Sequence, residues 1–284
     1  MIVIGVSGST KCDWVILEDS SEVARFSTRG INPLFHDHEE IAAILSSSAD
    51  LVQHAKSIAA LFIYGAGCGS KQRQQVVVKA LFALFPKAHH YVNHDIVASA
   101  LATYDGTPAI TAILGTGSNA CYFDGDIVRQ EVPALDYILG DEGSGAWYGR
   151  KLLNAFLYKR LPEDLQKNFE DRYGLGVDDI LENVYMKPYA NVYLASFMNF
   201  VQDHQEHDYM QEMISSGMGL FMDIYITSLQ KHKAVKTHFT GSVAANFEPI
   251  LRQEAANRGI LPGSILKEPI DGVVAYHLNK NYKS

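Results

Sequence analysis

The sequence predicts an α/β protein made of two related lobes. Three observations point there. A strand, a Gly/Ser/Thr-rich turn and a second strand occur at the N-terminus and again after Pro108. Such self-similarity marks internal duplication. After each copy, short apolar runs alternate with segments of helical period. The 284 residues, 47% hydrophobic and 20% charged, suffice for one large or two modest cores and exclude global disorder.

The elements follow in order. Ile2–Ile4 and Trp14–Leu17 are strands joined through the polar run Gly5 to Lys11, and Val23–Ser27 supplies a third. Glu39–Leu51 has apolar residues at helical spacing, with Asp37 as a nearby cap. Ile58–Tyr64 is a continuous apolar run closed by Gly65-Ala66-Gly67, the pattern of a buried strand. Gln72–Phe85 reads as a helix stopped by Pro86, His90–Val92 as a strand, and Ile96–Tyr104 as a helix. The second round has strands at Ala109–Leu114, Asn119–Phe123 and Ile127–Gln130, then a helix Trp147–Tyr158 capped by Ser144. Leu161–Leu181 carries helices broken around Gly174 and Gly176, and Tyr193–Gln230 two long helices. The Met and aromatic stripe from Met210 to Tyr225 reads as helical core or dimer surface. A strand at His238–Phe239, a turn Gly241–Ala244 and a helix Asn246–Asn257 follow.

Composition removes several function classes. Lys plus Arg number 24 against 32 Asp plus Glu, a net charge of −8, which argues against nucleic-acid and polybasic membrane binders. Cys12, Cys68 and Cys121 form neither a zinc pattern nor a disulfide framework. The 11 histidines are scattered without acidic or Cys partners in metal-ligand spacing. Met1 to Asp13 lacks a basic leader and reads as a first strand, so the expectation is a cytoplasmic protein without a membrane partner.

Four segments carry candidate chemistry. Ser7-Gly8-Ser9-Thr10-Lys11 offers backbone amides, hydroxyls and one cation at a bend, which suits a phosphate or an ordinary hairpin. It lacks the Walker A spacing, and the strand that follows it excludes the dinucleotide fingerprint. Gly115-Thr116-Gly117-Ser118-Asn119 repeats this chemistry, and two such turns facing each other could clamp a polyphosphate. Asp95, between a strand and a helix, is either a helix cap or a general base for a substrate hydroxyl. Gly140-Asp141-Glu142-Gly143-Ser144 sets adjacent carboxylates between glycines, which fits either a site for sugar hydroxyls or metal, or an exposed turn. Gly241-Ser242-Val243-Ala244 resembles a backbone surface for a nucleobase or ribose.

Taken in order, Ser-Gly-Ser-Thr-Lys-x-Asp-Trp, Asp95, Leu-Gly-Thr-Gly-Ser-Asn at 114–119, Gly-Asp-Glu-Gly-Ser at 140–144 and Gly-Ser-Val-Ala at 241–244 resemble the N-acetylglucosamine kinase family. That family belongs to the BadF/BadG/BcrA/BcrD ATPase group of the actin-like ATPase and sugar kinase superfamily. The resemblance covers essentially the whole chain. It implies two ribonuclease-H-like lobes around a central cleft, drawn at 1–107 and 108–284, with return of the last helix to the first lobe left open. ATP with Mg²⁺ would be the cofactors, an amino sugar the substrate, and a homodimer the assembly. By the same resemblance Ser9, Thr10 and Lys11 belong to the first phosphate loop, Thr116 and Gly117 to the second, and Gly241 and Ser242 to the adenosine side. Asp95 is the catalytic base, and Asn32, Asp95, Asn119, Asp141 and Glu142 lie near the sugar.

One departure stands out. The family pattern has an acidic residue just before the first loop, where this chain has Val6. Asp13, the nearest later carboxylate, is expected on the far side of the hairpin, so the metal-holding residues stay unassigned. The implied activity is phosphorylation of N-acetylglucosamine at its 6-hydroxyl. The alternatives are a catalytically weakened sugar or nucleotide sensor, and an ATPase activator of an acyl-CoA dehydratase.

Overall fold

The computed structural model describes residues 1–229 and 231–279. The chain divides into two compact units, one formed by Met1–Gly106 with the segment from Glu268 onward, the other by Thr107–Lys267.

The first unit is built on a five-stranded sheet in the order β3-β2-β1-β4-β5. Its strands are β1 (Ile2–Ser7), β2 (Lys11–Glu18), β3 (Ser21–Arg29), β4 (Ala60–Gly65) and β5 (His89–His94). β1, β2 and β3 form an antiparallel meander, while β4 and β5 add parallel to β1. One face packs Val3, Trp14, Ile16, Leu61 and Ile63 against Ile41, Leu45, Val77 and Leu81. Those partners come from the helices His38–Ser46 and Lys71–Leu84. On the other face the helix Ile270–Asn279 is anchored by His277, whose Nε2 lies 2.9 Å from the Tyr64 hydroxyl. This helix lies so close to the helix Asp95–Thr103 that a Cβ on Gly272 would sit 2.5 Å from the Ala102 carbonyl oxygen.

The second unit repeats the same topology. Its sheet runs β10-β9-β6-β7-β8, with β6 (Ala109–Leu114), β7 (Ser118–Phe123), β8 (Val128–Arg129), β9 (Lys236–Thr240) and β10 (Leu261–Leu266). Again three antiparallel strands are followed by two parallel ones on the far side of the first. The duplicated order is that of two ribonuclease-H-like units of the actin-like ATPase and sugar kinase fold. The core is aromatic and methionine-rich. Phe169, Phe200, Met210, Met218, Phe221 and Met222 are fully buried, so the Met stripe is core.

Several expected boundaries move. β1 runs on through Gly5, Val6 and Ser7, because each pairs with β4 as well as β2; the turn itself is short. The helix expected over 39–51 is two, His38–Ser46 and Ala49–His54, because Ser48 caps a new start by accepting from the Leu51 amide. Asp37 forms the expected cap, and Glu40 closes a reciprocal capping box. The region expected as two long helices holds Ala190–Ser196, Met198–Asp203 and Asp208–Phe221, then a π-helical turn Met222–Ile226; Gln230 lies outside the described residues. The helix expected over 246–257 divides at Phe247, with Pro249 in the first turn of the second piece. β10 was not expected, since Pro262 and Gly263 interrupt its apolar pattern and its register with β9 shifts there.

Helix contact in the second unit depends on Gly149. A Cβ there would lie 1.8 Å from the Leu194 carbonyl oxygen, and that backbone cannot yield as a side chain would. Gly149→Ala is expected to lower unfolding free energy by about 2 kcal/mol or more, through overpacking between the helices Gly145–Leu157 and Ala190–Ser196. Urea midpoints at constant m-value measure it. A shift below about 0.5 kcal/mol would mean the helices separate freely.

Candidate functional site

Each unit carries candidate residues of its own. In the first, the β1–β2 turn is closed by Gly8 N donating to Lys11 O at 2.9 Å. The segment after β3 locks it from outside. Gly30 N donates to Thr10 O at 3.0 Å, and a Cβ on Gly30 would sit 2.4 Å from Gly8 O. Fully buried Ser7 completes the lock: its Oγ accepts from Ile31 N at 2.7 Å and lies 3.0 Å from Ile31 O. Asn32, 3% exposed, donates from Nδ2 to Ser9 Oγ at 3.3 Å. The structure thus brings Asn32 to the Ser9–Lys11 loop. Ser7, which the sequence analysis placed in the loop itself, and Gly30, which it did not single out, hold the two together.

The turn after β4 extends this group of residues towards Asp95. A Cβ on Gly67, whose φ is +76°, would lie 2.1 Å from Asn32 Oδ1, so only glycine fits. Cys68 is buried near Asp95; burial and then the Asp95 carboxylate push its thiol up to about 12, which keeps it neutral. Asp95 opens the helix Asp95–Thr103 directly after β5, with His94 as N-cap. The cap reading of Asp95 is therefore displaced by one residue, because β5 remains paired with β4 through His94. His94 Nε2 stands 3.1 Å from Asp95 Oδ1.

Two expectations about charge change. Lys11 Nζ lies 2.7 Å from Glu268 Oε1 and 3.0 Å from Asp13 Oδ1. Burial works against its charge, yet hydrogen bonds to Glu268 and Asp13 outweigh this and raise the ammonium above its ordinary value. The expected phosphate cation is thus already matched by carboxylates. Asp13 is not remote from Val6. The two are register partners across β1 and β2, so their side chains share a face. Its carboxylate accepts from Ser27 Oγ at 2.6 Å.

In the second unit, Gly115 N donates to Gly117 O at 3.0 Å, and Asp141 secures this loop. Its Oδ1 accepts from Ser118 N at 2.9 Å, and a Cβ on Gly117 would meet Oδ2 at 3.0 Å. The next helix, Gly145–Leu157, spends its first amides on the same loop, Gly145 N on Gly115 O and Ala146 N on Thr116 O. Ser144 caps it through Trp147 N, as expected. Gly140–Ser144 and Gly115–Ser118 therefore form one assembly. Behind Glu142 stands Tyr225, 2% exposed, on the π-helical turn. Burial, then Glu142 and Asp141, raise its hydroxyl well above the ordinary range. Asn119, 5% exposed, accepts from Ala120 N and Gln130 Nε2, so its oxygen serves β7 and the strand end. Gly241, at φ +108°, touches Leu114, where a Cβ would lie 2.3 Å from the carbonyl oxygen; Ser242 opens the next helix, exposed.

Among the described residues no cluster of three or more His, Cys, Asp or Glu could hold a metal ion, and no helix is long and apolar enough to cross a membrane.

The Asp141 clamp has a direct test. Asp141→Ala should raise hydrogen exchange at the Ser118 amide by about 10–100-fold, the loss of one hydrogen bond to a charged acceptor. Asp141→Asn keeps an acceptor and tolerates the positive φ of 56°, so most protection should remain. Equal exchange in the alanine variant would remove Asp141 from that role.

The comparisons with known proteins follow the same geometry. No curated protein matches the chain by sequence. Among solved structures, a candidate N-acetylglucosamine kinase from Porphyromonas gingivalis is similar at 38% identity and TM-score 0.92, covering 98% of this chain and 99% of that one. A candidate N-acetylglucosamine kinase from Chromobacterium violaceum matches at 18% identity and TM-score 0.74, covering 97% and 98%. A ROK glucokinase from Streptomyces griseus, in complex with glucose and AMPPNP, matches at 13% identity and TM-score 0.54, covering 97% of each. The latter two establish likeness of fold. The family model extends from the β1 hairpin to the end of β10, residues 4–266, and on that match the chain belongs to the BadF/BadG/BcrA/BcrD ATPase family.

Proposed function

We propose that this protein is an ATP-dependent sugar kinase that phosphorylates N-acetylglucosamine or a related hexosamine at its 6-hydroxyl. The observation that carries the reading is the repeated hairpin loop. Topologically equivalent strand pairs end in Gly8-Ser9-Thr10-Lys11 and Gly115-Thr116-Gly117, in a chain 38% identical to a candidate N-acetylglucosamine kinase.

The residues divide the work as follows. Ser9, Thr10 and Thr116 offer hydroxyls, and their glycine neighbours allow close approach to phosphate oxygens. Gly241 and Ser242 serve the adenosine side. Asn32, Asn119, Asp141 and Glu142 recognise sugar hydroxyls. Asp95 orients the acceptor hydroxyl and takes its proton as the O–P bond forms and the bond to the ADP oxygen breaks. Mg²⁺ bound with ATP would neutralise charge on the phosphate oxygens. The donor set fits such an ion, because Mg²⁺ keeps several waters and needs few direct carboxylates; Asp13, beside Val6, is the carboxylate at that strand end.

The second reading is a sugar or nucleotide sensor. It draws on Val6 and on Lys11 being held by Glu268 and Asp13. The dehydratase-activator reading is weaker, since Cys12, Cys68 and Cys121 are all buried.

An ADP-release assay over a hexosamine panel separates these readings. Sugar-dependent release is expected; binding without turnover would favour the sensor, and sugar-independent release a bare ATPase. Asp95→Asn should lower turnover at least about 10²-fold with the fold retained, and near-normal turnover would remove Asp95 from the mechanism. Val6→Asp should increase turnover at limiting Mg²⁺, with initial rates against Mg²⁺ concentration as the measurement. A carboxylate that holds a metal-bound water is worth about 10–100-fold, so a brisk wild type unimproved by Val6→Asp would mean another residue holds the ion.

A further inference from the structure

We propose that Gln130 and the Ala120 amide fix the side chain of Asn119 as a hydrogen-bond donor, and that this donor selects N-acylated amino sugars over free amines; this rests on the kinase reading above. The need for such an arrangement arises at a strand edge. β8 pairs only with Tyr122 and Phe123 of β7, so it offers Ala120 N no acceptor. Asn119 Oδ1 takes its place, accepting from Ala120 N at 2.9 Å. Gln130, the first residue after β8, donates from Nε2 to the same oxygen at 2.8 Å. Asn119 is only 5% exposed, so its amide depends on fixed partners more than on bulk water. A backbone amide can only donate, so the atom that meets Ala120 N is the oxygen, and the orientation of the Asn119 amide is set.

Two donors thus fill the acceptor positions of Oδ1, and Nδ2 is what Asn119 has left to offer. Among the described residues Nδ2 has no acceptor, and it is not sealed from solvent. A ligand group that meets Asn119 must therefore bring a lone pair. On an N-acylated hexosamine the carbonyl oxygen of the acyl group supplies one. A free hexosamine carries an ammonium on the same carbon, and an ammonium has N–H donors alone. Donor would then face donor, and Nδ2 would be desolvated without a partner. A site built to make a hydrogen bond discriminates strongly against the analogue that cannot complete it. Asn119 reads the acyl group. Gln130 acts through it as a positioning residue, because it supplies one of the two donors that keep Oδ1 turned away from the sugar.

The ratio of kcat/KM for N-acetylglucosamine to that for glucosamine tests the proposal, in mildly acidic buffer where the free amine is an ammonium. Wild type should favour the acylated sugar by at least about 100-fold. Asn119→Asp keeps an oxygen for Ala120 N and Gln130 but turns the donor into a carboxylate oxygen. The ratio should then fall about 100-fold or more, with KM for ATP within about twofold of wild type. Gln130→Leu should lower the ratio about threefold at unchanged melting temperature, since this side chain is exposed. A purely structural role would lower activity on both sugars alike. Equal losses on the two sugars in Asn119→Asp, a wild type that takes both equally, or a ratio that Gln130→Leu leaves unchanged overturns the proposal. Should Asn119→Asp fold but turn over neither sugar, the ratio of calorimetric Kd values replaces that of kcat/KM, with the same overturning result. Should it fail to fold, Gln130→Leu decides alone. A wild-type protein with no hexosamine turnover refutes the kinase reading and this inference with it; an active wild type whose sugar preference neither variant moves refutes the inference only.

Discussion

Backbone pressed directly on backbone is the constraint on which the candidate loops of both units depend. In the first unit Gly30 lies against the Gly8 carbonyl, and in the second Gly241 lies against that of Leu114, with room for a Cβ at neither. These contacts bring a distant segment onto the tip of the opening hairpin. Residues 30–32 thereby reach the Ser9–Lys11 loop, and the β9 turn reaches the end of β6. Any side chain at either glycine would displace a peptide unit and open the loop it supports. The close approach is also why Ser7 can be buried without cost, since Ile31 offers it both a donor and an acceptor.

Charge is distributed around these loops with restraint. The helix Gly145–Leu157 presents its N-terminus to the second loop, but its first amides are bonded to Gly115 and Thr116 carbonyls. The anion-attracting end of a helix thus serves to brace the loop. Asp141 does the same from the other side, accepting from Ser118 N. Lys11, the cation of the first loop, is matched by Glu268 and Asp13. The loops thus carry little unmatched positive charge, in keeping with a chain of net charge −8.

Asp95 illustrates how the fold places a carboxylate. β4 and β5 are parallel and end together, and the helix follows β5 with no loop between. The carboxylate therefore inherits the rigidity of the ladder. The turn after β4 spans the distance from Asn32 to His94, with Gly67 against the first and Gly69 against the second. Within one unit, the Asn32 segment, the thiol of Cys68 and the His94–Asp95 pair become neighbours through five residues.

Much of this was legible in local chemistry. Hydrophobic runs and glycine turns marked the repeated strand–turn–strand units, because buried strands and sharp bends leave a composition signal wherever they occur. Asp37 and Ser144 announced helix starts, since capping is a contact between near neighbours in sequence. The order of motifs at 7–14, 95, 114–119, 140–144 and 241–244 was enough to suggest the family. What lay beyond reach was whatever depends on long separation. Whether β1 continues through Val6 depends on β4, nearly sixty residues away. β10 exists because β9 offers an edge, although Pro262 and Gly263 break its pattern. The pairing of Lys11 with Glu268, of Glu142 with Tyr225, and of His94 with Gly69 leaves no periodicity to read. The residue types and local turns were thus set by the sequence, whereas the partners of each charged group were decided by tertiary structure, because electrostatic contacts act through space and hydrophobic period acts along the chain.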